Sequence, residues 1–537
     1  MTVQSLTTRL TICAVLALAV GATLADEKTA SSSGFHFPAS GIQVDKQAVL
    51  LAIDDVSLPL KRNLCYYLSK PTVRKSPVLT PSRDNPLAPD HIAAHFYGSV
   101  IHDAGKFRMW YYPVSYGKSR SEITQGPVCY AESEDGFHWI KPHLGQVEFK
   151  GTKNNNGIKL PEKVIEGVHV IKDDADPDPQ RRYKMVYNPH NGRTFTIQTA
   201  TSPDGIHWTT PDTYPKDQFL EQAGFFRHNG LYLIHGQALE LSEGGGPRGR
   251  QGYAWVSPDF DRWLAATAEA FALPEPADPS ERGTTKPYDQ VHLGVAGVSL
   301  GNVVVGLYGL WHNHPGDRSR DVPESWFGHK KTSCDLGLVV SNDGIHFREP
   351  VKGHVYISQF DSPVTPVKGK AYPTILIQST GILNVGDETR IYHGRWRNAV
   401  YGEDYWGEVG LATLPRDRWG ALGLYPNRSD GEVWSTVVRL PHAGCRVFLN
   451  ADAASSIRVE IADERFQPLA EFSGPNSGIT DAGEGFECPI TWPAGSLSSL
   501  GGKNVRFRIH FEKKDGAEPR LYAVYLRPNV PGERLAD

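Results

Sequence analysis

Two glutamates in the first half of the chain, Glu166 and Glu221, occupy matching places in two similar stretches of sequence. Each lies the same number of residues before a predicted hairpin turn, at Asp173 in one stretch and at His228 in the other. Two carboxyl groups brought to one place can act as proton donor and proton acceptor. Burial among aromatic side chains would raise the pKa of one of them enough to keep it protonated near neutral pH. The pair is therefore a candidate for acid–base catalysis.

Three other segments align with these two through their own turns and bring further polar side chains to the same level. An earlier segment places His95 and Tyr97 there, and two later ones supply Asp289 or His292 and then Gln378. The set combines carboxyl, imidazole, phenol and amide groups. We therefore take Asp289 as a third candidate catalytic residue and the others as candidate ligand-binding residues.

A short motif recurs downstream of these segments. SEDGFHW begins at Ser133, SPDGIHW at Ser202 and SNDGIHF at Ser341, and looser copies begin at Ser257 and Thr413. The Asp-Gly pair suits a tight turn with positive φ, and the Ser and Asp side chains can hydrogen-bond the local backbone. The motif is therefore predicted to be a structural corner and not a site of chemistry.

Two alternating apolar segments precede each copy of the motif, and a third runs directly into it. In the first unit these segments are YGSVIHD, KFRMWYY and VCYAESEDG. Such runs predict β-strands, and five units of about four strands at irregular spacing predict a five-bladed β-propeller. Because the first strand of a propeller blade lines the central channel, the polar residues described above should converge on the propeller axis.

The motif does not recur after about Gly431, where segments such as SIRVEIAD and NVRFRIHFEK alternate apolar and polar residues. This alternation predicts half-buried strands of a second unit. The predicted fold class is therefore all-β, a five-bladed β-propeller followed by a smaller β-sandwich domain. The predicted boundaries are a signal peptide at 1–25, a linker at 26–44, the propeller at 45–430, the sandwich at 431–530 and a tail at 531–537.

Charge and hydropathy exclude two classes of partner. The 537 residues include 56 Lys and Arg against 60 Asp and Glu, without a basic block, so we expect no nucleic-acid partner. Arg9, the apolar run LTICAVLALAV and small residues before Asp26 are typical of a cleaved signal peptide. No other run is apolar and long enough to span a bilayer. We expect a secreted or periplasmic protein without a membrane partner.

The cysteines do not predict a metal or redox site. Cys13 lies in the signal peptide, and the spacings of the other five match no zinc or thiol-exchange pattern. Buried free thiols are expected, and Cys445 with Cys488 is the one pair considered for a disulfide. No cofactor is predicted, although a structural cation in the propeller channel stays open, with its ligands unknown.

The repeated corner, the paired strands and the five units resemble the five-bladed β-propeller glycoside hydrolases, the clan of arabinanases, β-xylosidases, invertases and levanases. The resemblance covers about residues 45–425. The Asp-box of sialidases, SxDxGxxW, has one more residue between Asp and Gly, so that family fits less well. The resemblance implies hydrolysis of an oligo- or polysaccharide at the propeller axis, and a C-terminal β-sandwich often accompanies such propellers.

The resemblance also implies roles for individual residues. The third-blade run LEQAGFFRHNGLYLI resembles the clan's pattern for a general acid, which is carried over to Glu221. Glu166 takes the second-blade place of the residue that orients the acid and tunes its pKa. The first blade should offer an Asp as base or nucleophile, but HFYGSV has His95 and Tyr97 there, and Asp90 lies only upstream.

Loops at the same end of the propeller are rich in aromatic and charged residues that could stack on sugar rings or bind hydroxyl groups. The candidates from these loops are Trp311, Trp326, Arg395 and Trp406. The missing first-blade Asp leaves a second hypothesis open, a non-catalytic propeller that binds a glycan. The sugar, the linkage, the stereochemistry and any protein partner stay undetermined by the sequence.

Overall fold

Strands make up almost all regular structure of the protein. The computed structural model describes residues 33–117, 123–189, 196–213, 215, 220–238, 251–271, 291–313, 332–370, 372–397, 404–514 and 516–529. The helices described there are short 3-10 turns, at Pro179–Arg181, Ala454–Ser456, Ala470–Phe472, Gly474–Asn476 and Leu497–Leu500. None of the described helices is long and apolar enough to cross a membrane. The predicted signal peptide and tail lie outside the described ranges.

The first three units are antiparallel meanders, which we call blades one to three. Blade one contains Ala93–Asp103, Lys106–Tyr116, Ile123–Gln125 and Cys129–Ser133. Blade two contains Ile165–Lys172, Tyr183–Pro189 and Gln198–Ser202. Blade three contains Glu221–His228, Leu231–Ala238, Gln251–Ser257 and Leu264–Phe271. The predicted strand pairs of these units are confirmed.

Blades four and five complete a ring. Blade four contains Val291–Ser299, Val304–Asn313, Thr332–Ser341 and Val355–Ile357. Blade five contains Ile375–Ile377, Ile382–Val385, Glu388–Arg397 and Trp406–Pro415. Each inner strand contacts the inner strand of the next blade. The inner strand of blade five contacts that of blade one, and Thr380 beside it forms a parallel bridge with Ser99 of blade one. The predicted all-β fold class, a propeller with a sandwich, is confirmed.

The outer strand of blade five comes from the N-terminal part of the chain. Thr72–Val73 pairs antiparallel with the last strand of that blade, and Leu79 bridges to Val409. The fifth motif copy does not form a corner of the predicted kind. There Asp417, with φ of 58°, accepts hydrogen bonds from Asn384 Nδ2 at 2.6 Å and from Tyr525 Oη at 2.7 Å. The chain then leaves the propeller.

The other four motif copies form corners of one design. In the second copy, Ser202 Oγ accepts the N–H of Gly205 at 2.8 Å, and Asp204 Oδ1 accepts those of Ile206 at 2.9 Å and His207 at 2.8 Å. The carbonyl of Gly205 also accepts the indole N–H of Trp110 from blade one at 2.9 Å. Equivalent bonds hold Gly136 to Tyr392 and Gly344 to His235. The corners therefore fasten neighbouring blades together.

Replacing Asp204 with Ala should lower the free energy of unfolding by roughly 1–3 kcal/mol, because two backbone N–H groups and the turn itself lose their acceptor. Urea denaturation followed by tryptophan fluorescence measures the change. Asp212, which is exposed, provides the matched control, since its Ala variant should unfold like wild type. Equal stability of the two variants would show that the corner bonds do not support the fold.

Two further sheets pack face to face as a β-sandwich. One contains Phe35–Phe37, Ile42–Val44, Leu60–Arg62, Asp430–Trp434, Val438–Arg439, Ile457–Asp463 and Asn504–Glu512. The other contains Ala48–Leu51, Leu64–Leu68, Gly420–Leu424, Cys445–Asp452, Gly485–Ile490 and Arg520–Pro528. The N-terminal strands thus pair in the sandwich, whereas the predicted boundaries put them in the linker and the propeller. These strands are short and their partners are far away in sequence, so no local pattern marked them.

One apolar cluster joins the sandwich to the propeller. Val49 and Tyr525 from the sandwich pack with Val305 and Leu338 of blade four and with Trp419 at the exit from blade five. All of these side chains are buried. Burial of continuous apolar surface holds the two parts together. The five cysteines of the described residues, including Cys445 and Cys488, are free thiols, and all but Cys65 are buried.

Candidate functional site at the propeller axis

β-Bulges interrupt the inner strands at one end of the propeller. The ladder shifts register between His95 and Ser99 in blade one, between Glu166 and Val168 in blade two, and between Gln222 and Gly224 in blade three. A bulge places an extra residue in one strand and turns the neighbouring side chains. In blade two the extra residue is Gly167, whose φ of 73° favours glycine. Glu166 and Glu221 therefore lie beside bulges, while each keeps a ladder partner, Asn188 for Glu166 and Gln237 for Glu221.

The structure brings Glu166 and Glu221 together at this end of the axis. The two carboxyl groups are close enough for the charge of Glu221 to raise the pKa of Glu166. Each carboxyl group is also hydrogen-bonded to the side-chain amide of a glutamine. Gln125 of blade one hydrogen-bonds to Glu166, and Gln237 Nε2 donates to Glu221 Oε2. Adjacent blades thus present a positioned carboxyl pair.

Burial and proximity decide the protonation of this pair. Burial, followed by the charge of Glu221, raises the pKa of Glu166 to about 8, against the opposing effect of the hydrogen bond from Gln125. Two such carboxylates cannot both be ionised without a cost, so one proton is held by the pair near neutral pH. Burial is the largest cause of the raised pKa of Glu166, so Glu166 holds a proton near neutral pH. A protonated and an ionised carboxyl group side by side can perform acid–base catalysis.

The same pKa shift predicts a change in stability with pH. Because the folded protein binds the proton of Glu166 more tightly than the unfolded chain, wild type should lose stability as pH rises from about 4.5 to about 8. Glu166→Gln removes this loss, and we expect the variant to be more stable than wild type by roughly 1–3 kcal/mol at pH 9. At pH 4 the advantage should vanish.

Thermal unfolding of the Glu166→Gln variant and wild type between pH 4 and pH 9 tests this expectation. Glu134→Gln is the control, since Glu134 is exposed on the corner of blade one. A stability difference between the Glu166 variant and wild type that stays constant over the whole range would contradict the raised pKa.

Aromatic side chains form the wall beside the carboxyl pair. Tyr97 and Tyr112 of blade one, Trp311 of blade four and Tyr405 of blade five are buried in one cluster, which also contains Ala223 of blade three. The negative charges of both glutamates raise the pKa values of Tyr97 and Tyr112, although burial is the larger cause. The two phenols are therefore neutral and lie next to the carboxyl pair.

His95 is a fixed, uncharged part of this wall. Its Nε2 is 2.7 Å from the hydroxyl of Tyr405, and its ring stacks on Tyr112 with 4.9 Å between centroids. The ring of Trp396 meets it edge to face at 5.4 Å. Burial lowers the pKa of His95 to about 3, so the imidazole carries no charge at neutral pH. It positions its neighbours without supplying a cation.

Several predicted binding residues lie elsewhere or serve the fold. Arg395 is buried, and its guanidinium donates to Ser362 Oγ at 2.7 Å and to the carbonyl of Lys75 at 2.8 Å, so it fastens the N-terminal segment to blade five. Gln378 is fully buried and donates to the carbonyl of Gly294 at 2.7 Å, which ties blade five to blade four. Neither side chain is placed to contact a ligand.

Trp406 is the first residue of the last strand of blade five and is half-buried. The Trp406 indole N–H donates to Glu408 Oε2 at 2.6 Å, and the guanidinium of Arg83 lies 5.2 Å from the Trp406 ring centroid. The ring is therefore already in contact with a cation of the protein.

Two candidates, Asp289 and Trp326, lie outside the described residues. His292 lies in the inner strand of blade four, opposite Gly309. Among the described residues of blade one, no carboxylate takes the place of the expected Asp. Asp90 is buried in an ion pair with Lys141 at 2.5 Å, where it also accepts the Tyr111 hydroxyl at 2.9 Å.

Four residues of the site were not predicted. Gln125 and Gln237 hold the carboxyl groups, and Tyr112 and Tyr405 hold His95. Each lies on a second strand of its blade or on a neighbouring strand. The alignment of first strands alone could not reveal them, although Tyr112 pairs directly with His95 in the hairpin of blade one. Pairing the predicted hairpins residue by residue would have indicated Tyr112 and Gln237.

The sequence comparisons give partial matches only. No protein-family model matches the chain. An uncharacterised protein of Mycobacterium tuberculosis is 29% identical over 145 residues, which are 25% of this chain and 43% of that protein. The chain therefore spans less than half the length of the curated relative that it matches.

Solved structures of two carbohydrate-active proteins resemble part of the chain at low similarity. A glycosyl hydrolase from Bacteroides ovatus is 14% identical with a TM-score of 0.41, over 66% of this chain and 95% of that one. A β-1,2-mannobiose phosphorylase from Listeria innocua, in complex with β-1,2-mannobiose, is 13% identical with a TM-score of 0.39, over 66% of this chain and 97% of that one. Likeness of this degree gives no information about the reaction of this chain.

Proposed function

We propose that the protein is a secreted glycoside hydrolase that cleaves an oligo- or polysaccharide at the propeller axis without a cofactor. The observation that carries this proposal is the half-buried carboxyl pair of Glu166 and Glu221, in which burial and the charge of Glu221 raise the pKa of Glu166 to about 8. Cleavage of a glycosidic bond needs both groups, an acid for the departing oxygen and a carboxylate on the attacking side. The aromatic wall beside the pair offers ring faces of the kind that bind sugars.

The proposed roles differ from those implied by the resemblance to five-bladed hydrolases, in which Glu221 is the acid and Glu166 orients it. Glu166 is the proton donor, because burial raises its pKa into the range where an acid is still protonated at neutral pH. Glu221 is the acceptor, because the amide of Gln237 donates a hydrogen bond to it and so favours its charged form. The acceptor takes the proton of the group that attacks the anomeric carbon.

A panel of oligosaccharides and aryl glycosides tests the proposal, with products separated by chromatography. Wild type should hydrolyse at least one member, and the double variant Glu166→Gln with Glu221→Gln should hydrolyse none while it stays folded. Glu134→Gln, on an exposed corner, should act like wild type. Equal hydrolysis by wild type and the double variant would remove the carboxyl pair from the reaction.

A glycan-binding protein without catalysis is the second candidate function. The observation that favours it is blade one, where His95 and Tyr97 lie at the level of the carboxyl pair and no carboxylate is found among the described residues there. Titration calorimetry on the same panel separates the two functions. Binding of a sugar by wild type, together with no hydrolysis of any panel member, would establish the binding function.

A further inference from the structure

Tyr97 lies where the resemblance to five-bladed hydrolases requires a carboxylate. It belongs to the bulged segment of blade one between His95 and Ser99, at the level of the bulges that follow Glu166 and adjoin Glu221. Its ring is 7% exposed and is fixed by the ring of Tyr112, with 5.5 Å between centroids. The first blade thus offers a phenol to the site in place of an acid.

The phenol of Tyr97 differs from the other two tyrosines of the wall. Tyr405 shares a hydrogen bond with His95, and Tyr112 stacks on the same imidazole. Of the nearby charged groups, Glu221 raises the pKa of Tyr97 most, and Glu166 raises the pKa of Tyr112 most. Tyr97 is therefore the phenol that lies beside the proposed proton acceptor.

A phenol beside an ionised carboxylate has two chemical uses. It can donate a hydrogen bond to the substrate, or it can lose its proton to the carboxylate and attack an electrophilic carbon. Burial and the nearby negative charges keep Tyr97 protonated in the resting protein, so attack requires a base that takes the proton in the same step. Glu221 is such a base, and no water molecule is then needed between the carboxylate and the sugar.

We propose that Tyr97 is the nucleophile of a double-displacement hydrolysis, an inference that rests on the proposed function. In the first step the Tyr97 hydroxyl transfers its proton to Glu221 and its oxygen forms a bond to the anomeric carbon. The bond from that carbon to the departing oxygen breaks, and this oxygen takes the proton of Glu166. The covalent intermediate is therefore an aryl glycoside of Tyr97 and not a glycosyl ester of a carboxylate.

In the second step water attacks the same carbon. The water transfers a proton to the Glu166 carboxylate, and the bond between the sugar and the Tyr97 oxygen breaks. The leaving phenolate takes back the proton from Glu221, which restores every group to its starting state. Two displacements at one carbon retain the anomeric configuration. A water molecule activated directly by Glu221 would invert it.

Proton NMR of the first product formed by wild type, from the glycoside that the panel identifies, gives the stereochemical outcome. We expect retention. A 2,4-dinitrophenyl 2-deoxy-2-fluoro glycoside of the same sugar should then label the protein with one glycosyl unit. Peptide mass spectrometry should find the label on Tyr97. Inversion, a label on a glutamate, or no tyrosine adduct would each overturn the proposal.

The Tyr97→Phe variant provides the kinetic arm. Its turnover should fall roughly 10²-fold or more on every substrate, whereas Tyr112→Phe, in the same cluster, should lose less than about tenfold. Equal losses in the two variants would overturn the nucleophile role, and melting temperatures close to wild type confirm that both are folded. If wild type hydrolyses a glycoside with inversion, the nucleophile role of Tyr97 is wrong and the proposed hydrolase function stands. If wild type hydrolyses no glycoside, both proposals are wrong.

Discussion

The Glu166→Gln variant is expected to lose roughly 10²-fold or more of its turnover on a glycoside with a poor leaving group. On an aryl glycoside with an activated leaving group it should keep most of its kcat/KM, which reports the first bond cleavage, because a stable phenolate departs without protonation. The amide keeps the shape of Glu166 and can still bond to Gln125, but it has no proton to deliver. Steady-state kinetics with an alkyl and a dinitrophenyl glycoside of one sugar measure the difference.

The pH profile provides an internal check on this result. Wild type should lose activity on the alkyl glycoside as pH rises through about 8, where Glu166 gives up its proton, and the dinitrophenyl glycoside should show a weaker fall. Glu134→Gln is again the matched control because Glu134 lies on an exposed corner. An equal loss of kcat/KM on both glycosides would remove Glu166 from the role of proton donor.

The Glu221→Gln variant should instead lose about 10²- to 10⁴-fold of its turnover on both glycosides, since the attacking group needs a proton acceptor whatever the leaving group is. The loss should appear in kcat/KM and in kcat alike, because the interaction is made mainly in the transition state. The same pair of substrates measures it. A strong dependence on the leaving group here, and none in Glu166→Gln, would restore the roles implied by the resemblance.

Local patterns were sufficient to predict the propeller strands. The corner at Ser202 to Trp208 has its Asp, its Gly and its aromatic residue where the turn needs them, and the structure contains the corresponding hydrogen bonds. The looser copy at Ser257 forms the same corner with Phe260 at the glycine position, where φ is 70°. A short motif with a strong steric requirement can therefore be recognised even when one of its residues changes.

The candidate site was predictable only in part. Glu166 and Glu221 were found because equal distances to a turn place equal positions at the axis. Arg395 was misplaced as a ligand-binding residue, because its partners Ser362 and Lys75 come from distant segments that alone show it to be buried. The protonation of Glu166 depends on neighbours from other blades, which the sequence of blade two does not contain.

The pairing of the N-terminal strands has a consequence for the synthesis of the chain. Ala48–Leu51, Leu64–Leu68 and Thr72–Val73 leave the ribosome early, but their partner strands belong to the last third of the chain. Until those partners exist, the early strands have unpaired edges that other chains could join. The sandwich cannot close before Arg520–Pro528 has been made, so we expect its early strands to stay unpaired through most of synthesis, with chaperones guarding them until then.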